Sequence, residues 1–160
     1  MAVLGVVGGG WPWWGDSSEA SLRSQLQQLA QLLSASPSDR PATRRARIDA
    51  AVRSQLASDA RLRIAELPHV TVPGPALTDA LTALVEPGEA GDVELTRIEL
   101  DLRGDQATAF VDARLAGDVG RDLHAPHRQV TLGLVRRGDG WRIVDVEVPA
   151  RKLEEPEPRP

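Results

Sequence analysis

The chain has 160 residues, 41% hydrophobic and 26% charged, a balance that fits one globular domain and is too apolar for a disordered chain. A formal net charge of −4 argues against a basic face for binding nucleic acid, so no nucleic-acid partner is expected. With no cysteine, disulfides, thiolate metal sites and cysteine nucleophiles are excluded.

Residues 1–15 form an apolar, Trp-rich opening segment. It is shorter than the roughly 20 apolar residues a bilayer span needs. It carries neither a basic leader nor a small-residue cleavage site. It ends on Trp11, Trp13 and Trp14 before a polar switch at Asp16-Ser17-Ser18-Glu19, as membrane segments end at the interface. Two readings stay open: an apolar tail, or the last part of a signal-anchor whose upstream residues lie outside this chain. The second implies membrane association through residues 1–14 and a cell-envelope location; the first is compatible with a cytoplasmic one.

Asp16, with Glu19 three residues on, reads as a capping box that opens the first helix. Leu22, Leu26, Leu29, Leu32 and Leu33 then set an apolar stripe at helical spacing, which the Ser- and Pro-rich stretch Ser34 to Pro41 ends. A second helix runs from Ala42 to Ala57, with Ile48, Val52 and Leu56 on one face. Its Arg44, Arg45, Arg47 and Arg53 face solvent or partners; the first three form a basic patch that is either solvated or set against anionic lipid. Arg61 to Ala65 alternates as a short strand, and Val70-Thr71-Val72 extends as a further one. Pro75 opens a third helix whose apolar face is Leu77, Leu81, Leu84 and Val85, stopped by Pro87 and Gly88.

From Asp92 the period changes to two. Val93 and Leu95 fall out of phase with Ile98, Leu100 and Leu102, which predicts a bulge between Leu95 and Ile98. After a Gly104-Asp105 turn, Ala107, Ala109, Val111, Ala113 and Leu115 alternate, with Thr108, Phe110, Asp112 and Arg114 on the opposite face. Val130, Leu132 and Leu134 mark the next strand. Gly138-Asp139-Gly140 is a hairpin signal, and Trp141, Ile143, Val144, Val146 and Val148 form the last strand. Residues 151–160, rich in Pro and Glu, read as a disordered tail, leaving one domain over 16–150.

The order helix, helix, strand, helix, four strands, with the ending Leu134-Val135-Arg136-Arg137-Gly138-Asp139-Gly140-Trp141-Arg142-Ile143-Val144-Asp145-Val146, resembles the NTF2-like (SnoaL-like, cystatin-like) superfamily. The hairpin from Leu100 to Ala113 is similar to that family as well. The resemblance implies an α+β fold in which N-terminal helices pack in a strongly curved antiparallel sheet, a cone with a pocket. It also implies a homodimer through the outer sheet face, where Phe110 and Val135 stand, and it names no activity.

Enzymes of the family place Asp and His groups in the cone for acid–base work. By that resemblance the candidates are Asp112, His69, His124 and His127. Each has a plainer reading. Asp112 alternates onto the face opposite Ala109, Val111 and Ala113, which is the solvent face if the apolar side is the interior. His124 and His127 flank Pro126, which argues against the helix on which two His three apart would chelate a metal. His69 follows Pro68 in a connecting segment. No metal and no cofactor are expected. The tripeptides Arg103-Gly104-Asp105 and Arg137-Gly138-Asp139 match an adhesive motif but fall where turns need Gly and Asp. The expected function is a non-catalytic ligand-binding or protein-interaction domain, associated with the cell envelope. The alternatives are an isomerase, cyclase or hydrolase acting on a small apolar substrate in the cone, and an accessory component of an envelope complex.

Overall fold

The computed structural model describes residues 3–117, 127–138 and 140–150, with side chains from Ser18 onward. Three helices precede or interrupt a five-stranded sheet: α1 (Val3–Leu33), α2 (Pro41–Gln55), β1 (Leu56–Ile64), α3 (Pro75–Ala83), β2 (Gly91–Arg103), β3 (Gln106–Gly117), β4 (His127–Arg137) and β5 (Gly140–Val148). The sheet order is β1-β5-β4-β3-β2. The last four strands pair antiparallel, as expected, and β1 adds to the edge parallel to β5. The sheet is mixed and does not close.

Register follows the alternation. Ala107, Ala109 and Val111 of β3 are buried opposite Leu134, Leu132 and Val130 of β4. The register of β2 shifts between Leu95 and Arg97, the position of the predicted bulge, and further irregularities interrupt β5 opposite Gly133 and Leu134, and β1 between Leu56 and Arg61. Bulges on neighbouring strands bend a sheet, and this sheet wraps α1. The two-residue turn between β2 and β3 has Gly104 at φ +63°, which a glycine adopts without strain. At the other end of that hairpin a Cβ on Gly117 would stand 2.7 Å from the Ala90 carbonyl oxygen.

Four expectations are corrected. The helical backbone of α1 begins at Val3, so Asp16 lies within a helix and does not open one; a good cap favours a start but does not stop the turn before it from forming. The first strand starts at Leu56, five residues earlier than its alternation suggests, because Leu56 already pairs in parallel with Ile143 of β5 ahead of the irregularity that precedes Arg61. Val70-Thr71-Val72 forms no strand; only Thr71 touches the edge, accepting a hydrogen bond from the Leu62 amide at 2.9 Å. Leu84 turns out to solvent at 53% exposure, because α3 ends at Ala83. Residues 151–160 and Asp139 lie outside the described residues.

A fifth correction concerns Arg44 and Arg47 of α2, which do not face solvent. Arg44 is 5% exposed. It donates from Nη1 to the Thr82 carbonyl and from Nη2 to the Leu81 carbonyl at 3.4 Å, where α3 runs out of its own donors. Arg47 donates to the Leu32 and Ser34 carbonyls at the end of α1, at 3.2 and 2.8 Å, and to Asp39 at 2.9 Å. Arg45 and Arg53 are exposed and pair with Asp79 and Asp49. From β5, Arg142 does for α2 what Arg47 does for α1, donating to the Arg53 carbonyl at 3.1 Å and to that of Ser54. Gln25 ties α1 to α2 and β5 by donating to Gln55 and to the Trp141 carbonyl, both at 2.7 Å.

Burial, and after it the neighbouring Arg47 charge, pull the Arg44 guanidinium below its usual range. Its Nε is buried without a partner. Two hydrogen bonds from a buried cation are each worth about 1.5–3 kcal/mol. Arg44→Ala is therefore expected to lower the unfolding free energy by about 3 kcal/mol in urea titration, and Arg45→Ala, which removes only a solvent-exposed pair, to lower it far less. Equal losses would contradict the capping role. The Arg47 hydrogen bond and then the Ser36 amide hold the Asp39 carboxyl below its ordinary range. That stabilisation is complete above the unfolded carboxylate pKa near 4 and is lost as pH falls through the depressed folded value. Asp39→Asn is expected to cost about 1 kcal/mol at neutral pH and to flatten the acid limb of stability below about pH 5.

Candidate functional site

Apolar side chains gather in two main clusters. Leu22 and Leu26 of α1 pack with Ala109, Val111, Leu132, Leu134, Trp141 and Ile143 of the sheet. Ile48 and Val52 of α2 pack with Leu62, Val70 and Leu77. Leu56 and Val146 touch both. Between the clusters a cavity of about 230 Å³ remains. Leu26, Val111, Leu132 and Ile143 line it from the first cluster, and Val52, Leu62 and Leu77 from the second. Among the described residues, all nineteen that line it are Ala, Val, Leu or Ile.

Composition explains the void. The chain has no Tyr and one Phe. Phe110 points to the outer face at 49% exposure, and Trp141 is buried near the β4–β5 hairpin. No side chain larger than Leu lines the space between the clusters. Among the lining residues Ile64, Val93, Ala113, Val130 and Val148 are half-buried. These stand toward one end of the sheet, where β1, β3 and β5 finish and β2 and β4 begin.

One charged side chain joins the inward rows at that end. Arg128 is in phase with Val130, Leu132 and Leu134 and sits opposite Ala113. Its Nη2 donates to the Pro149 carbonyl at 2.7 Å, and its Nη1 pairs with Glu66. The Arg128 side chain is 25% exposed and that of Glu66 51%. Two other hollows are different in kind. One of about 420 Å³ beside α3 is lined by Asp39, Arg44, Arg45, Asp79, Glu86 and Glu89, with Asp79 and Asp39 engaged by Arg45 and Arg47. One of about 490 Å³ on the outer sheet face runs past Arg61, Thr108, Gly133 and Asp145.

Asp112, His69 and His127 are not among the residues that line the cavity. Asp112 is half-buried on the outer face, opposite Arg97 and Gln129. His127 is exposed on that same face, opposite Arg114, and His69 is exposed in the segment between β1 and α3. His124 lies outside the described residues. Among the described residues no group of three or more His, Asp or Glu is placed to hold a metal, and no helix is long and apolar enough to cross a membrane. Sequence reasoning missed Arg128, although a signal was there: the β4 period of two, extended back from Val130, lands on it.

No family model and no curated protein matches the sequence. Solved structures do match. An NTF2-like protein of unknown function from Pseudomonas putida KT2440 superposes with a TM-score of 0.60 at 16% identity, over 88% of this chain and 91% of that one. An NTF-2 like protein of unknown function from Silicibacter pomeroyi DSS-3 gives 0.59 at 12% identity, over 86% and 98%. An NTF2-like protein with a cystatin-like fold from Novosphingobium aromaticivorans gives 0.57 at 14% identity, over 82% and 80%. The chain has the NTF2-like fold, as its final hairpin suggested.

A side chain that extends into existing space gains contacts without strain. Ala113→Leu, at a half-buried position of the cavity wall, is expected to raise stability by about 1 kcal/mol and the melting midpoint by about 3 °C in calorimetry. A loss of that size instead would mean that the space is already filled.

Proposed function

We propose that this is a non-catalytic NTF2-like domain that binds a small aliphatic molecule in its cone. The observation that carries the reading is the cavity wall, aliphatic throughout and without a titratable group among the described residues that line it. A general base has to lie within hydrogen-bond reach of the proton it takes, and Asp112, His69 and His127 are directed elsewhere. Apolar walls alone still recognise hydrocarbon: an engineered apolar cavity of about 150 Å³ stays dry and binds benzene. Left empty, 230 Å³ of lost packing costs on the order of 5 kcal/mol at about 24 cal/mol per Å³, an upper bound because part of the wall is only half-buried. That is comparable with the whole stability of a domain. A ligand recovers it.

The experiment is a thermal-shift series with 1-alkanols of increasing chain length. A ligand at about 100 times its Kd adds about 2.7 kcal/mol, which moves the midpoint by several degrees. Wild type is expected to respond and Ala113→Leu, with the cavity narrowed, to respond at least about tenfold more weakly in Kd. A series silent in wild type would overturn the reading.

A second reading, a protein contact on the outer sheet face, is favoured by Phe110, the exposed aromatic of that face. It predicts a homodimer in sedimentation that Phe110→Ser converts to monomer.

A further inference from the structure

A separate hollow of about 500 Å³ lies between α1, the C-terminal end of α2 and the β4–β5 hairpin. It shares no lining residue with the aliphatic cavity. Ser21, Ser24, Gln25 and Gln28 line it from α1, at spacings that put them on one face of the helix. Arg137 and Arg142 line it from the hairpin.

The polar groups of the lining are of two kinds. Gln25 and Arg142 are committed within the fold. Gln25 donates to Gln55 and to the Trp141 carbonyl, and Arg142 donates through Nη1 to the Arg53 and Ser54 carbonyls. These bonds fix the walls, and Arg142 covers carbonyls at the negative end of the α2 dipole. Ser21, Ser24, Gln28 and Arg137 are exposed, and none of them has a hydrogen bond or ion pair among the described residues. The hollow also differs in charge from its neighbours. The one beside α3 and the one on the outer sheet face both carry carboxylates, Asp79 held by Arg45 and Asp145 held by Arg63. Among the described residues no carboxylate lines this one, and its charged side chains are two arginines in a chain of net charge −4.

We propose that this hollow binds a small phosphate monoester that carries hydroxyl groups, a sugar phosphate in class, with the phosphate on Arg137 and the hydroxyls on the Ser and Gln side chains of α1. A guanidinium presents paired N–H donors that match a phosphate. Serine hydroxyls and glutamine amides both donate and accept, as sugar hydroxyls do. The volume falls within the range of about 300–1,000 Å³ that small-molecule sites occupy. The proposal does not rest on the aliphatic reading of the cone.

The test is a calorimetric titration of the full chain with glucose 6-phosphate, with inorganic phosphate and with glucose. Glucose 6-phosphate is expected to bind most tightly, and at least about tenfold more tightly than glucose, the size of one charge-assisted hydrogen bond in affinity. Arg137→Gln should weaken both phosphates about tenfold. Arg61→Gln, at an exposed arginine that borders the outer-face hollow instead, should weaken neither. Ser24→Ala combined with Gln28→Ala should weaken glucose 6-phosphate several-fold and leave inorganic phosphate unchanged. All four side chains are exposed and without side-chain partners, so folding is not at stake. Equal affinities for glucose 6-phosphate and either control, equal losses from Arg137→Gln and Arg61→Gln, a glucose 6-phosphate affinity that the α1 pair leaves unchanged, or no binding of either phosphate overturns the proposal. The alkanol series reads the cone alone and stands or falls separately.

Discussion

An α-helix leaves its last four carbonyls without intrahelical donors, and in this protein arginines from elsewhere in the fold supply them. Arg47 of α2 closes α1, Arg142 of β5 closes α2, and Arg44 of α2 closes α3. The residues that follow the three helices are Ser34, Leu56 and Leu84, none of them a glycine able to take the left-handed turn that usually finishes a helix. Each capping bond is therefore also a tertiary bond. A cation at a helix C-terminus faces the negative end of the helix dipole, so charge and hydrogen bonding act together. The cost is borne at Arg44, a buried cation with one unpartnered nitrogen. It persists because truncating it would orphan the carbonyls as well.

These caps set the distance between the helices, and the helices carry much of the cavity wall. Leu29 and Leu33 come from α1, Val52 from α2, Leu77 and Leu81 from α3. An unrestrained hydrocarbon void tends to close, because lining atoms regain contacts as walls approach. Here polar bonds of fixed length at the helix ends resist that approach, while Gln25 pins α1 to α2 and β5. The bulged sheet supplies the opposite wall and its curvature. Rigid polar joints around an aliphatic space are what a preformed site needs, since a site already shaped loses little entropy when a ligand enters.

The parts of this arrangement differ in how far the sequence discloses them. The strand phases, the bulge after Leu95 and the helix opened by Pro75 depend on residues close together in the chain, and each is where local pattern puts it. The helix caps depend on donors and acceptors 13 to 89 residues apart. In sequence an arginine that caps a distant helix is indistinguishable from one in water, so Arg44 and Arg47 read as a solvated basic face. The parallel strand β1 is likewise a long-range choice. The cavity is half legible: a chain with no Tyr and its single Phe on the polar phase of a strand has little with which to fill a cone, but the position of the gap follows only from how two clusters meet.

The same logic separates Asp112 from Arg128. Both are charged residues on central strands, and a search for chemistry by residue type favours the carboxylate. Phase decides otherwise. Asp112 alternates with Phe110 and Arg114 on the outer face, whereas Arg128 continues the inward row of Leu134, Leu132 and Val130. A charge in the apolar phase of a strand must find partners, and Arg128 has Glu66 and the Pro149 carbonyl among its own. Among the described residues the cavity wall is aliphatic, and the charge of Arg128 stands one cross-strand pair away, opposite Ala113.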